Sequence, residues 1–195
     1  MLDHIIMGIA SRYKPSEVSL ELFDYKEGVE FQKYRNLPHV KTLMLDNTDY
    51  KCIFARLKEF EKLIAVRGKL FRQHSVIDID EYNGLENITK IPRCFLIIDE
   101  VQKLLVGNLE VNNLLNDLSK RCRAFGMYLI FSTQTLSNYN IPAEMMTQFR
   151  MRIAFQVDTN DCMKFFSINN DAASKLRRYH CIINENLGHV ENNIM

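Results

Sequence analysis

Two adjacent acids, Asp99 and Glu100, close the apolar run Phe95-Leu96-Ile97-Ile98. Four apolar residues in a row predict a strand buried on both faces, as in a parallel sheet. Open α/β sheets place their ligands beyond the carboxyl ends of such strands. Acids there suit two jobs. The first, Asp99, can hold a Mg²⁺ ion through water, and the second, Glu100, can polarise a water that attacks a phosphate. That chemistry calls for a glycine-rich loop whose amides and lysine cradle the phosphates, and the 195 residues contain no Gly-x-x-x-x-Gly-Lys-Ser/Thr. Taken alone, two acids capping a strand are mostly solvated turn residues.

The elements that must carry these acids alternate between strands and helices. Leu2, Ile5, Ile6 and Ile9 predict a helix over 1–13, ended by Lys14-Pro15. Val18 to Phe23 and Val40 to Leu45 read as strands, the second followed by a cap-like Asp46-Asn47-Thr48-Asp49. A long helix spans about 50–73, with Ile53, Leu57, Phe60, Ile64 and Phe71 as its buried stripe. A short helical turn covers 78–83. After the 95–100 strand comes a helix over 109–125 with Leu114, Leu115, Leu118 and Cys122 inward, closed by Gly126. Met127 to Thr133 is the next strand, and Pro142 opens a short helix. Strands at 152–157 and 180–184 bracket short helices at 159–168 and 171–177. This order predicts an α/β fold, a mainly parallel sheet between helical layers. The Asn-rich stretch 184–195 reads as a truncated edge.

Composition narrows the function classes. A 47% apolar chain of this length can bury one sizeable core. With 25 basic and 24 acidic residues the net charge is +1, so no global field recruits nucleic acid, and any DNA contact must be local or built by oligomerisation. The five cysteines are scattered without a Cys-x-x-Cys and read as small core residues in a reducing compartment. The histidines show no metal-ligand spacing. Neither a signal-peptide pattern nor an apolar run near 18 residues occurs. The expectation is a cytoplasmic chain without membrane contact, whose parent protein is free to carry a tether elsewhere.

The sequence resembles the motor domain of FtsK/SpoIIIE-type P-loop ATPases over nearly its whole length. The resemblance rests on Asp24-Tyr25-Lys26 after an apolar strand, Leu37-Pro38-His39, Arg67-Gly68-Lys69-Leu70-Phe71 and Ile79-Asp80-Glu81-Tyr82-Asn83. It continues through Ile97-Ile98-Asp99-Glu100, Arg123-Ala124-Phe125-Gly126, Ser132-Thr133-Gln134 and Arg152-Ile153-Ala154-Phe155-Gln156-Val157. It implies a three-layer, RecA-like α/β fold truncated at its N-terminus. Residues 1–195 would be a single partial motor domain, the portion after the phosphate loop. It further implies ATP and Mg²⁺ as cofactors, a homo-oligomeric (hexameric) ring, and double-stranded DNA as the substrate moved, or a protein in secretion relatives. The alternative is a degenerate or truncated homologue, non-catalytic, serving binding or assembly.

Individual roles follow from the same resemblance. Asp99 and Glu100 form the Walker-B pair, with Asp99 on the Mg²⁺ side and Glu100 as general base. Gln134 resembles the sensor that contacts the γ-phosphate or attacking water. Arg152 resembles an arginine finger reaching a neighbouring subunit, with Arg150 competing for that role. Asp24 and Lys26 either line the nucleotide site or pair with each other. Lys120, Arg121 and Arg123 either face DNA phosphates or solvate a helix end.

Overall fold

The computed structural model describes residues 1–26, 28–45, 50–106, 108–136, 141–166 and 169–195. They divide into two compact units, Met1–Ser132 and Thr133–Met195. The cap-like segment 46–49 and the end of the helix expected to reach residue 168 lie outside the described residues.

The first unit is built on a four-stranded sheet in the order β2-β1-β3-β4, every pairing parallel. Its strands are β1 (Val18–Asp24), β2 (Val40–Met44), β3 (Arg93–Asp99) and β4 (Met127–Phe131). The two central strands are almost wholly buried; β3 accordingly runs apolar from Phe95 to Ile98, whereas β1 alternates over Val18–Leu22, with Ser19 and Glu21 between its apolar residues. β1 and β3 pair from Val18↔Arg93 to Asp24↔Asp99, so both strands end on an aspartate at one level. Helix α1 (Leu2–Arg12) lays Leu2, Ile6 and Ile9 on one face of the sheet, against Val18, Leu20, Leu22 and Ile97. Leu96 and Ile98 point the other way, as the two-residue period of a strand requires.

Helix α2 (Tyr50–Gln73) buries the predicted stripe Ile53, Leu57, Phe60, Ile64 and Phe71. It also buries Arg67, whose guanidinium donates to the carbonyls of Phe125 and Gly126 and, at 2.7 Å, of Pro92. This buried cation ties α2 to the turns entering β4 and β3. The short α3 (Ile79–Gly84) begins at Asp78, whose carboxylate caps the amides of Asp80 and Glu81 at 2.9 Å. After β3 comes a short helix absent from the sequence reading, α4 (Val101–Leu105), and then α5 (Leu109–Arg121). Asn108 caps α5, and Leu114, Leu115 and Leu118 face inward as expected. A 3-10 turn follows over Cys122–Phe125, and Gly126 at φ +66° leads into β4. A side chain there would collide with Ile79, whose Cδ1 lies 2.1 Å from an ideal Cβ.

The strands of the second unit stand outside the mainly parallel sheet. β5 (Arg152–Ala154), β6 (Ile182–Asn184) and β7 (Asn193–Ile194) form a separate antiparallel sheet. β5 is also shorter than the 152–157 predicted. The Asn-rich stretch, expected to be an edge, instead makes the turn and β7. The cause is a set of satisfied amides. Asn184 Oδ1 accepts from the backbone N–H groups of Asn186 and Gly188, and Asn184 Nδ2 donates to His189 O. Asn170 and Asn193 bond each other through both amide groups, and Asn170 also donates to Gly188 O. Asn side chains mimicking backbone turns fold this segment back on β6. Helices α6 (Ala143–Met146) and α7 (Thr159–Phe165) and a 3-10 turn at Ala172–Lys175 complete the unit, over a core of Ala154, Cys162, Phe166, Ala173, Leu176 and Ile182.

Candidate active site

Asp99 and Glu100 sit where β3 ends, and both are buried, Glu100 at 4% exposure. Buried carboxylates need donors or a cation, and each has one donor in place. The Ser132 hydroxyl donates to Asp99 Oδ1. Ser132 is itself held between the strands, its N–H on Ile98 O and its carbonyl accepting from Val101 N, both at 3.0 Å. Gln102 Nε2 donates to Glu100 Oε2. Glu100 adopts a left-handed backbone, φ 55° and ψ 46°, immediately before α4. For a residue with a Cβ this conformation is strained, and such strain clusters at functional sites.

Asp24, the level partner of Asp99, is used differently from the expectation. Its Oδ1 accepts from Lys26 N at 2.8 Å, and its Oδ2 accepts from Glu30 N at 3.1 Å and Phe31 N at 3.3 Å. Both oxygens organise the loop after β1, which makes Asp24 a loop anchor. Lys26 does not pair with Asp24 through its side chain. Its ammonium bonds Glu30 at 3.1 Å, and Glu30 raises it above its ordinary value, with smaller contributions from Asp99 and Glu100. Lys26 therefore lies within the field of the acid pair while staying solvent-exposed. Lys103 reaches toward the same strand ends, donating to Tyr25 O at 3.3 Å.

Gln134, Arg150 and Arg152 belong to the second unit. Gln134 is exposed just past β4. Arg152 corrects the arginine-finger expectation, because its side chain is turned inward and buried. Its Nε donates to Phe149 O at 3.0 Å, Nη1 to Phe165 O at 2.7 Å and Phe166 O at 2.8 Å, and Nη2 to Met146 O at 2.8 Å. Burial holds this guanidinium below its ordinary value. A side chain so engaged braces its own unit and cannot reach a neighbour without breaking those bonds. Arg150, two residues earlier, is exposed, and no side-chain bond engages it among the described residues. Of the basic cluster, Arg121 pairs with Asp117 and lies 3.7 Å from Glu61, which favours the solvated helix end.

Gln102 and the use of Ser132 were missed from sequence. Gln102 did leave a signal: it is the one polar, uncharged position in Val101-Gln102-Lys103-Leu104-Leu105, and it is 2% exposed.

A family model described as FtsK/SpoIIIE family matches residues 1–153. The chain belongs to the FtsK/SpoIIIE family. Among curated relatives it is 32% identical over 171 residues to a DNA translocase FtsK of Staphylococcus aureus, covering 81% of this chain and 21% of the relative. It is 28% identical over 180 residues to the ESX secretion system protein EccC of Geobacillus thermodenitrificans, covering 89% of this chain and 12% of that one. The chain thus spans a small fraction of the relatives it matches. Its fold matches the pCW3 conjugation coupling protein TcpA, solved in a monomer form with ATPγS, at a TM-score of 0.81 and 20% identity, over 99% of this chain and 54% of that one. The parallel sheet flanked by helices is accordingly the RecA-like α/β fold of P-loop ATPases.

Among the described residues no group of three or more His, Cys, Asp and Glu is placed to hold a metal unaided. This donor set fits Mg²⁺, which takes one or two carboxylates and completes its shell with water and substrate phosphates. No helix among the described residues is long and apolar enough to cross a membrane.

Proposed function

We propose that the chain is the Walker-B portion of an ATP-driven motor that translocates double-stranded DNA as a homo-oligomeric ring. The observation that carries this reading is the buried acid pair at the end of a central parallel strand, each carboxylate held by its own side-chain donor. Asp99 would hold Mg²⁺ through water, with Oδ1 fixed by Ser132. That ion would neutralise charge developing on the phosphates. Glu100 would take the proton of the attacking water, and Gln134 would sense the γ-phosphate. The trans-acting cation passes from Arg152 to Arg150. Support for DNA as the substrate comes from FtsK relatives at up to 32% identity. A secretion ATPase, moving protein instead, is the second reading. It is favoured by the ESX relative, which aligns with more of this chain, 89% against 81%.

The test compares the 195-residue chain with a P-loop-completed protein, in which a strand and Gly-x-x-x-x-Gly-Lys-Thr loop from a relative precede residue 1. The chain alone should show no turnover and weak MgATP binding, because the amides and lysine that grip phosphates are charge-assisted donors worth roughly 1.5–3 kcal/mol each. The completed protein should hydrolyse ATP, faster with linear duplex DNA. In it, Glu100→Gln should keep ATP affinity and lose hydrolysis by roughly 10²-fold, and Asp99→Asn should weaken Mg²⁺-dependent binding. Micromolar MgATP binding by the chain alone, or unchanged hydrolysis in Glu100→Gln, would overturn the assignment. Stimulation by a secreted substrate's signal peptide and not by DNA would select the second reading.

A further inference from the structure

Gln102 is a buried amide with only half of its hydrogen-bonding capacity accounted for. Its Nε2 donates to Glu100 Oε2, while its Oε1 is buried without a partner. Leaving a buried carbonyl oxygen unpaired is costly, so an apolar side chain would serve packing alone better at this position. The neighbours Val101, Leu104 and Leu105 are buried and apolar. Glu100 is confined from two sides: its backbone is set left-handed, and its carboxylate is engaged by the side chain two residues on.

We propose that Gln102 is a positioning residue for Glu100. Its carboxamide fixes one carboxylate oxygen and leaves the other for the water to be deprotonated. This rests on the reading of Glu100 as general base. It adds a residue that acts through Glu100 and makes no contact with the nucleotide. The balance is simple: the water proton passes to the free Glu100 oxygen, the hydroxide oxygen bonds phosphorus, and the bond to the ADP oxygen breaks. Gln102 keeps its protons throughout.

The test uses Gln102→Met, which keeps the length and volume of the side chain and removes both polar groups. In the 195-residue chain, unfolding equilibria of wild type, Glu100→Ala, Gln102→Met and the double variant form a cycle. A coupling of about tenfold in the unfolding constant is expected, and additivity would overturn the pairing. In the P-loop-completed protein, Gln102→Met should lower kcat by about 10- to 100-fold at unchanged KM for ATP. In a Glu100→Gln background it should have no further effect, because its partner's function is already gone. A packing role predicts the reverse, an equal loss in both backgrounds, and a normal kcat in Gln102→Met rejects positioning outright. The two readings fail separately. If Glu100→Gln hydrolyses normally, the general-base assignment falls while the unfolding cycle still decides the pairing. If Glu100→Gln is inactive and Gln102→Met is normal, only the present inference falls.

Discussion

Replacing Arg152 with alanine separates a brace from a finger. The guanidinium donates four hydrogen bonds to four backbone carbonyls, over distances of 2.7 to 3.0 Å. Truncating a buried, hydrogen-bonded charged side chain costs about 3–5 kcal/mol. The stranded carbonyls account for that range if each loses roughly 1 kcal/mol net. Folded domains are stable by only about 5–15 kcal/mol, so the second unit should come close to unfolding. With a urea m-value of about 2 kcal/mol/M, the midpoint should fall by roughly 1.5–2.5 M. The chain has no tryptophan, so far-UV circular dichroism is the natural probe, with limited proteolysis to locate the opening. Cleavage should appear first in residues 133–195. Arg152→Lys should recover only part of the loss, since one ammonium cannot reproduce a planar fork that spans four acceptors. Arg150→Ala should stay within about 0.5 kcal/mol of wild type. An Arg152→Ala protein as stable as wild type would refute the brace.

Four other outcomes are expected. Gly188 sits at φ +88°, with an ideal Cβ 2.1 Å from Phe166 O, one of the carbonyls that Arg152 binds; Gly188→Ala should cost about 2 kcal/mol or more. Gly8 in α1 has nothing within 4 Å of its Cβ position, and Gly8→Ala should raise stability by about 0.5–1 kcal/mol, both read from urea midpoints. Burial pushes the Cys94 and Cys122 thiols up from 9.0 to about 11. Unfolded thiols ionise first, so this stability is intact below pH 9 and is lost as pH rises to about 11. Urea midpoints should therefore decline across that window, and a thiol reagent at neutral pH should label exposed Cys52 well before Cys94 or Cys122. Asp24→Asn removes the charge that gathers three amides, so hydrogen exchange at Glu30 and Phe31 should speed up while α2 keeps its protection.

Sequence legibility followed the kind of interaction involved. The buried stripe of α2 and the buried strand ending in Asp99 were readable because periodicity and apolar runs report burial directly. Gly126 was readable because one φ value demands it. The antiparallel sheet of the second unit was not, since its strands are two or three residues long and its turn is built from paired asparagines that look like any polar tail. Arg152 was misjudged because a basic residue opening a strand gives no sign of which way it points, and its partners are carbonyls that carry no sequence signature. The anchoring role of Asp24 was hidden for the same reason: the amides that bond its oxygens belong to whichever residues happen to follow. At the acid pair, residue type announced Asp99 and Glu100, but the donors that hold them come from α4 and the end of β4 and emerge only in three dimensions.

The seven-residue pairing of β1 with β3 has a consequence for the chain as it leaves the ribosome. β1 emerges early, and its central partner is not made until Arg93–Asp99, with all of α2 and α3 translated between them. At roughly 5–20 residues per second that interval lasts several seconds. During it β1 can pair with β2 but not with β3, leaving the backbone edge from Val18 to Phe23 that β3 later covers open to a passing strand. Slow codons before residue 93 would lengthen that exposure, and a chaperone that shields nascent strands should be found holding ribosome-bound chains stalled there, but not those stalled once β3 has emerged.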